Sequence, residues 1–271
     1  MDLQARFDIG IVVATMVGSG LQQAVRSVFA QQFGGRMQIL IGVDKWHGER
    51  ALVDALIAEA PSHVAITVMD LGYSTSARHG GVYPGHDSGA LKTILSFAAN
   101  SRFVACLDDD NWYAPDHVAT MLKAISGKAW AFSLRHFVDE DTGEIICADT
   151  WESLGPGRGL YAETEGGFVD TNCYLLDALL CSDAFPEWTV TRVDGATGGD
   201  RQVLKRIADR PWGTNDKASV FCRVRLAGMD PYLLWQFRRA SVDLARFMPA
   251  DMIPGEDAWR QCAEYDRTQA R

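Results

Sequence analysis

Three consecutive aspartates, Asp108-Asp109-Asp110, followed by Asn111, stand directly after the apolar run Phe103-Val104-Ala105-Cys106-Leu107. Like charges at this density repel one another unless a cation compensates them. Mg²⁺ or Mn²⁺ suits that task, because both prefer oxygen ligands and commonly take one or two carboxylates, with water and substrate phosphates completing the shell. A nucleotide diphosphate would supply those phosphates. Taken alone, the segment also fits a strand end followed by solvated aspartates and a helix-capping turn.

The elements that must position this cluster are legible around it. Ile9-Gly10-Ile11-Val12-Val13-Ala14 is the apolar, β-branched run of a strand buried on both faces. Leu21, Ala24, Val25, Val28 and Phe29 recur at helical spacing, with Ser19 as the cap and Gly34-Gly35 as the stop. A strand over 37–43, a helix over 49–60 broken by Pro61 and a strand over 64–69 repeat the unit. Residues 72–89 are a loop long enough to be functional, and a helix over 90–99 leads into the strand over 103–107. The alternation predicts an α/β chain with a Rossmann-like, mostly parallel central sheet flanked by helices. Ligands bind such a sheet at the carboxyl ends of its strands, which is where the aspartates fall.

Downstream the pattern is less regular. Pro115 opens a helix, and 129–134 with 144–148 form a hairpin around Asp141-Thr142-Gly143. Residues 151–167, with five glycines and one proline, read as a surface loop beside the site. A short helix follows Gly198-Gly199-Asp200, a strand covers 219–224, and the last stretch is helical.

With these residues in view, the sequence resembles the family-2 glycosyltransferases of the GT-A fold. Ile9 to Thr15 looks like their opening strand, Ser27-Val28-Phe29-Ala30-Gln31-Gln32 like their Ser-Val-Leu-Ala-Gln helix, and Ile39 to Asp44 like their second strand ending in an acid. Phe103 to His117 follows the D-x-D strand, turn and Pro-Asp-His helix start. Gly199-Asp200-Arg201-Gln202 resembles the Glu-Asp motif helix, with glycine in place of glutamate. The likeness covers about residues 8 to 225. It implies a nucleotide-sugar-binding half over 1–115, an acceptor-binding and catalytic-base half over 116–225 with the smaller acceptor side, and a C-terminal helical extension over 226–271.

The resemblance also implies roles. Asp44 would accept the uracil N–H, and Thr15 would line base and ribose. Asp108 would contact ribose or donor sugar, Asp109 stands beside it either as a further donor-binding residue or as a structural one, and Asp110 would ligate the Mn²⁺ or Mg²⁺ that bridges the phosphates. Two cations compete for the diphosphate. Ser76-Ala77-Arg78-His79-Gly80 copies the family's Ala-Arg-Asn motif, yet Arg78 lies thirty positions before Asp108, about twice the family's spacing. Counting back at that spacing reaches Lys92 instead. Either is otherwise an ordinary surface cation.

The implied reaction is a metal-dependent, inverting transfer from a UDP-sugar to a hydroxyl of a glycan or lipid-linked acceptor, as in bacterial polysaccharide or lipopolysaccharide assembly. Asp200, at a helix start, is the candidate base, with Asp194 and Asp170 in reserve. Trp188 and Trp151 are the candidate acceptor contacts, and Trp112 and Trp212 are further stacking surfaces. Two other readings stand beside this one. A sugar-phosphate nucleotidyltransferase shares the sheet and a metal-binding aspartate but needs a Gly-rich loop after the first strand. An inactive sugar-nucleotide or glycan-binding module would explain the missing glutamate.

Whole-chain properties narrow the classes. With 271 residues, 47% of them hydrophobic, the chain can bury a sizeable core. A net charge of −9 argues against nucleic acid as partner. Cys106, Cys147, Cys173, Cys181, Cys222 and Cys262 include no C-x-x-C pair, so neither a zinc cluster nor a secreted disulfide framework is expected. Gly18-Ser19-Gly20 lacks the third glycine of a dinucleotide fingerprint. No apolar run approaches the roughly 20 residues of a membrane span, and Met1 to Arg6 lacks a signal-peptide pattern. The expectation is a cytoplasmic protein, working at the inner face of the membrane if its acceptor is lipid-linked. Trp235 and Arg238-Arg239 could serve a peripheral membrane contact, a homodimer contact or simply a terminal helix.

Overall fold

The computed structural model describes residues 6–84, 88–190 and 198–269. Strand β1 (Phe7–Thr15) is buried from Ile9 onward and β2 (Met37–Val43) at all seven positions. Runs without polar alternation therefore occupy the centre of the sheet, covered on both faces. Between them α1 (Leu21–Phe29) buries Leu21, Ala24, Val25 and Val28. Helix α2 (Arg50–Glu59), β3 (Val64–Asp70), α3 (Gly89–Ala98) and β4 (Ser101–Cys106) complete the first half.

The second half runs through β5 (Trp112–Tyr113), α4 (His117–Ala124), β6 (Trp130–Asp139), β7 (Ile145–Ala148), β8 (Gly155–Pro156), α5 (Ala162–Glu165), β9 (Gly167–Phe168) and β10 (Tyr174–Asp177). It ends with α6 (Gly199–Ile207), β11 (Trp212–Val224), α7 (Pro231–Arg239) and α8 (Glu256–Gln269). The main sheet has nine strands in the order β3-β2-β1-β4-β10-β6-β11-β5, with β7 on β6. β10 is antiparallel to both β4 and β6, so β1, β2, β3, β4, β6 and β11 all run one way. The fold class is the mostly parallel α/β sheet that the sequence predicts.

Four features differ from the sequence expectations. Ser19 does not cap α1; Gly20 holds that position without a side-chain bond. The helix ends at Phe29, well before Gly34-Gly35, because Gln31 and Gln32 are tied to the turn preceding α4. β10, unforeseen, is inserted between β4 and β6; its four residues are too few for any periodicity to register, but all four are buried. The last strand is also longer than expected, with a bulge between Thr214 and Ala218 that displaces its early residues from the regular register.

Two apolar cores result. The larger lies on both faces of the sheet around Ile11, Ile39, Trp130 and Phe132. The smaller joins Phe137 and Trp151 to Leu226, Leu234, Phe237 and Trp259 of the C-terminal elements. Among the described residues no helix is long and apolar enough to cross a membrane.

Gln31 fastens α1 to the segment just after the aspartates. Its amide nitrogen donates to Ser27 O (3.0 Å) and Ala114 O (2.8 Å), and its oxygen accepts from Val118 N (2.8 Å). The side chain is 6% exposed, so removal strands two buried backbone groups. Gln31→Ala should lower unfolding free energy by about 1–3 kcal/mol, measured by urea denaturation; an unchanged midpoint would contradict the clamp.

Candidate active site

The chain leaves β1 toward β2 on one side and returns across it to β4 on the other, so β1 and β4 flank the topological switch point of the sheet. Thr15 ends β1 and Asp109 lies just beyond β4. Thr15 Oγ1 bridges them, donating to Asp109 Oδ2 at 2.5 Å and accepting from Val17 N at 2.7 Å. Val17 adopts φ 61°, a left-handed conformation rare for a β-branched residue. Beside it, a Cβ on Gly20 would sit 2.5 Å from Asp109 O and 2.8 Å from Asp110 Cα. Glycine therefore lets the N-terminal, positive end of α1 abut the acidic turn.

Asp108 is held by compensation. Its Oδ1 pairs with Lys92 Nζ at 2.9 Å, and Lys92 is only 6% exposed. Asn172 clamps the other side: its Nδ2 donates to Asp108 Oδ2 (3.0 Å), and its Oδ1 accepts from Asp108 N (2.6 Å). The same Nδ2 donates to Asp170 Oδ1 (2.8 Å), and Asp170 is in turn ion-paired to the buried Arg135. Arg135 also holds Asp149 (2.9 Å) and Glu152.

Asp109 and Asp110 are less well served. Burial raises the Asp109 carboxyl, with the Thr15 hydroxyl working against it. Burial, then Asp108 and Asp109, push Asp110 up to about 6. The Asp110 carboxylate accepts from no other described side chain and forms no ion pair with one; its own backbone N–H and the charge of Arg223 work against the rise, and its carbonyl accepts from Arg223 Nε at 3.0 Å. Arg223 further ties the turn to Asn111 Oδ1 (2.9 Å) and to Gln23 on α1 (2.6 Å). Asp200 opens α6 from the far side, its carboxyl pushed up to about 7 by burial and then by Asp170. Its side chain accepts from Arg201 N at 2.8 Å. Lys92 also acts on Asp200 electrostatically, as the weakest of the influences on that carboxyl.

The remaining candidates are distributed as follows. Asp44, 3% exposed, fastens the following loop: Ser74 Oγ donates to Oδ2 at 2.8 Å, and Thr75 N to Oδ1 at 3.2 Å. Of the two competing cations, Lys92 meets the acidic turn. Arg78 sits exposed in the short helical turn Ala77–His79 and forms no ion pair with the described residues. Trp151 and Trp188 offer no open stacking face. Trp151 is 9% exposed and packed 5.3 Å from Phe137 and 4.9 Å from Phe237. Trp188, 3% exposed, lies edge-on to Tyr174. Both are core side chains, Trp188 in the larger apolar core and Trp151 in the smaller. Trp112 is covered by Phe221 and Arg223, and Trp212 packs on Trp130 and Phe132. Asp194 lies outside the described residues. Asn172, Arg135, Gly20 and Arg223 escaped the sequence reading. Asp170-Thr171-Asn172 does carry a turn signal, and the Asp170 side chain accepts from Asn172 N, but its partner is 64 residues away.

Among solved structures the chain is similar to TarS of S. aureus, with 12% identity and a TM-score of 0.58, covering 86% of this chain and 38% of that one. It is also similar to TarS 1-349 in complex with UDP-GlcNAc, with 13% identity, a TM-score of 0.58 and coverage of 86% and 65%. For the mannosyltransferase PcManGT from Pyrobaculum calidifontis in complex with GDP-Man and Mn2+, identity is 13%, the TM-score 0.52 and coverage 88% and 62%. This chain thus spans less than two thirds of the length of each. At such identities the likeness is one of fold. No family model and no curated protein matches the sequence.

The Asp200 environment has a measurable cost. The folded chain retains this proton up to about pH 7, whereas an unfolded chain releases it near the ordinary value of 3.8. Between those values the folded state binds more protons, so this group makes stability fall as pH rises through that window. Asp200→Asn should therefore raise Tm, and by more at about pH 8 than at about pH 5. A gain independent of pH would refute the raised carboxyl.

Proposed function

We propose that the chain is a metal-dependent, inverting glycosyltransferase that moves a sugar from a nucleotide-sugar, UDP-linked by preference, to a hydroxyl of a glycan or lipid-linked acceptor. The observation that carries this reading is the acidic turn at the switch point, in which Asp108 and, through Asn172, Asp170 are held by Lys92 and Arg135 while Asp110 is engaged by no other described side chain, with Asp200 acted on by both Lys92 and Asp170. Likeness in fold to structures holding UDP-GlcNAc, or GDP-Man with Mn2+, supports it. Residues 1–115 would serve the donor, 116–225 the acceptor and the base.

Donor set and charge suit a hard divalent cation: Asp110 offers carboxylate oxygens that no other described side chain engages, and a cation would offset the burial and the repulsion from Asp108 and Asp109 that raise its carboxyl. Among the described residues no three His, Cys, Asp or Glu gather into a site of their own, so phosphate oxygens would fill most of the shell. When bound, Mn²⁺ or Mg²⁺ supplies Lewis-acid stabilisation of the departing diphosphate. Asp108 orients ribose or sugar, held rigid by Lys92 and Asn172, while Lys92 adds positive charge beside the diphosphate. Thr15 and Asp44 border the nucleoside, Asp44 chiefly by fixing the Ser74-Thr75 backbone. Asp109 is assigned a structural part through Thr15. Asp200 takes the acceptor hydroxyl proton as that oxygen bonds the anomeric carbon on the face opposite the breaking bond to phosphate. One base and no enzyme nucleophile make the outcome inversion. The departure from the Glu-Asp motif has a packing cause: a Cβ on Gly199 would meet Trp188 O at 2.9 Å.

UDP release from a panel of UDP-sugars, with Mn²⁺ and candidate glycans, tests the assignment. Asp110→Ala should remove metal-dependent release, and Asp200→Asn should cut transfer by about 10²-fold or more. For a base titrating near 7, turnover should climb as pH rises toward that value and level above it. Metal-dependent release that survives Asp110→Ala would displace the site, and tight UDP binding without any turnover would mark a binding module instead.

A further inference from the structure

Outside the carboxylate cluster, a groove of about 930 Å³ opens between the loop carrying Tyr161 and helices α7 and α8. Its size falls within the range of small-ligand sites, roughly 300–1,000 Å³. Aromatic rings dominate its walls: Tyr161 on one side, and Tyr232, Trp235 and Tyr265 on the other. Tyr265 is 52% exposed. The far wall is preorganised by Asp266, whose carboxylate accepts from Tyr232 OH (2.6 Å), Trp235 Nε1 (3.0 Å) and Arg239 Nη1 (2.6 Å). The near wall is fixed to the catalytic side. Tyr161 OH donates to Glu152 of the Arg135 hub (3.3 Å), and the Arg201 guanidinium lies 4.0 Å from the centre of the Tyr161 ring. Arg201 directly follows Asp200.

Flat rings with fixed polar groups between them match a sugar, which presents apolar C–H faces and hydroxyls around its edge. The charges select among sugars. Among the described residues that line the groove, Glu163, Asp230 and Asp266 stand against Arg239, a field that disfavours anionic polymers and anionic lipid surfaces. We propose that this groove binds the neutral saccharide portion of the acceptor and leads it to Asp200. The proposal rests on the glycosyltransferase reading for the word acceptor, but the saccharide site can be tested apart from it.

Saturation-transfer NMR of the full chain with cellotetraose, maltotetraose, mannotetraose and chitotetraose, and with tetragalacturonate as the anionic control, provides the test. At least one neutral tetrasaccharide should bind and the anionic one should not. Tyr161→Ala and Tyr265→Ala should each weaken binding about tenfold or more. Tyr265→Ala alters a half-exposed ring, so it reads the groove even if Tyr161→Ala fails to fold. No neutral binder, equal binding of tetragalacturonate, or an affinity unchanged in Tyr265→Ala would overturn the proposal. UDP titrated into the same samples separates the two readings. UDP binding without saccharide binding rejects the groove and leaves the donor site standing; saccharide binding without UDP binding does the reverse.

Discussion

Crowding carboxylates at one edge of a sheet is the constraint around which this molecule is arranged. Asp108, Asp109 and Asp110 follow β4 where it parts from β1, Asp170 is joined to Asp108 through Asn172 and acts in turn on Asp200, and negative charge there is costly unless it is countered. The fold treats them unequally. Asp108 receives Lys92 and both ends of the Asn172 amide, Asp170 receives Arg135 and Asn172, and Asp109 receives the Thr15 hydroxyl. Asp110 and Asp200 receive less, the first its own backbone N–H and the charge of Arg223, the second the Arg201 N–H and the charges of Arg201 and Lys92, so that burial raises both carboxyls. Groups left unsatisfied in a well-compensated neighbourhood are the ones a ligand can satisfy.

Arg135 shows how far this compensation reaches. A guanidinium 7% exposed among Asp149, Glu152 and Asp170 joins β6, the loop after β7 and the turn before β10. Asp149 in turn accepts from the backbone N–H groups of Trp151, Glu152 and Ser153. A loop rich in glycine is thereby held firmly next to the site. Such a hub is weak as a source of net stability, because taking the charges out of water costs nearly what their attraction returns. Its effect is positional: Asp170, Asn172 and through them Asp108 are set by one side chain from another strand.

Close backbone approach completes the arrangement. Gly20 lets α1 touch the acidic turn, Val17 accepts an unfavourable φ to make the connection, and Arg223 reaches from β11 to both. Strain at the end of a central strand, over-determined by surrounding hydrogen bonds, is the usual accompaniment of a binding edge.

Local chemistry made much of this legible in advance. Buried strands read as unbroken β-branched runs because both faces are covered, and α1 as a helix because its apolar residues recur at helical spacing. Three adjacent aspartates after such a strand mark a concentrated negative charge that a cation would relieve. From these features the sequence determined the α/β class, the succession of the first four strands along the chain and the acidic segment after the fourth. What the tertiary structure alone decided are pairings across long separations: Lys92 rather than Arg78 beside Asp108, Asn172 as the clamp, Arg135 as the hub, and β10 slipped antiparallel into the sheet. It also decided that Trp151 and Trp188 are packed away in cores. Burial and partner choice are properties of the assembled molecule, since a side chain's neighbours in space leave no periodic mark along the chain.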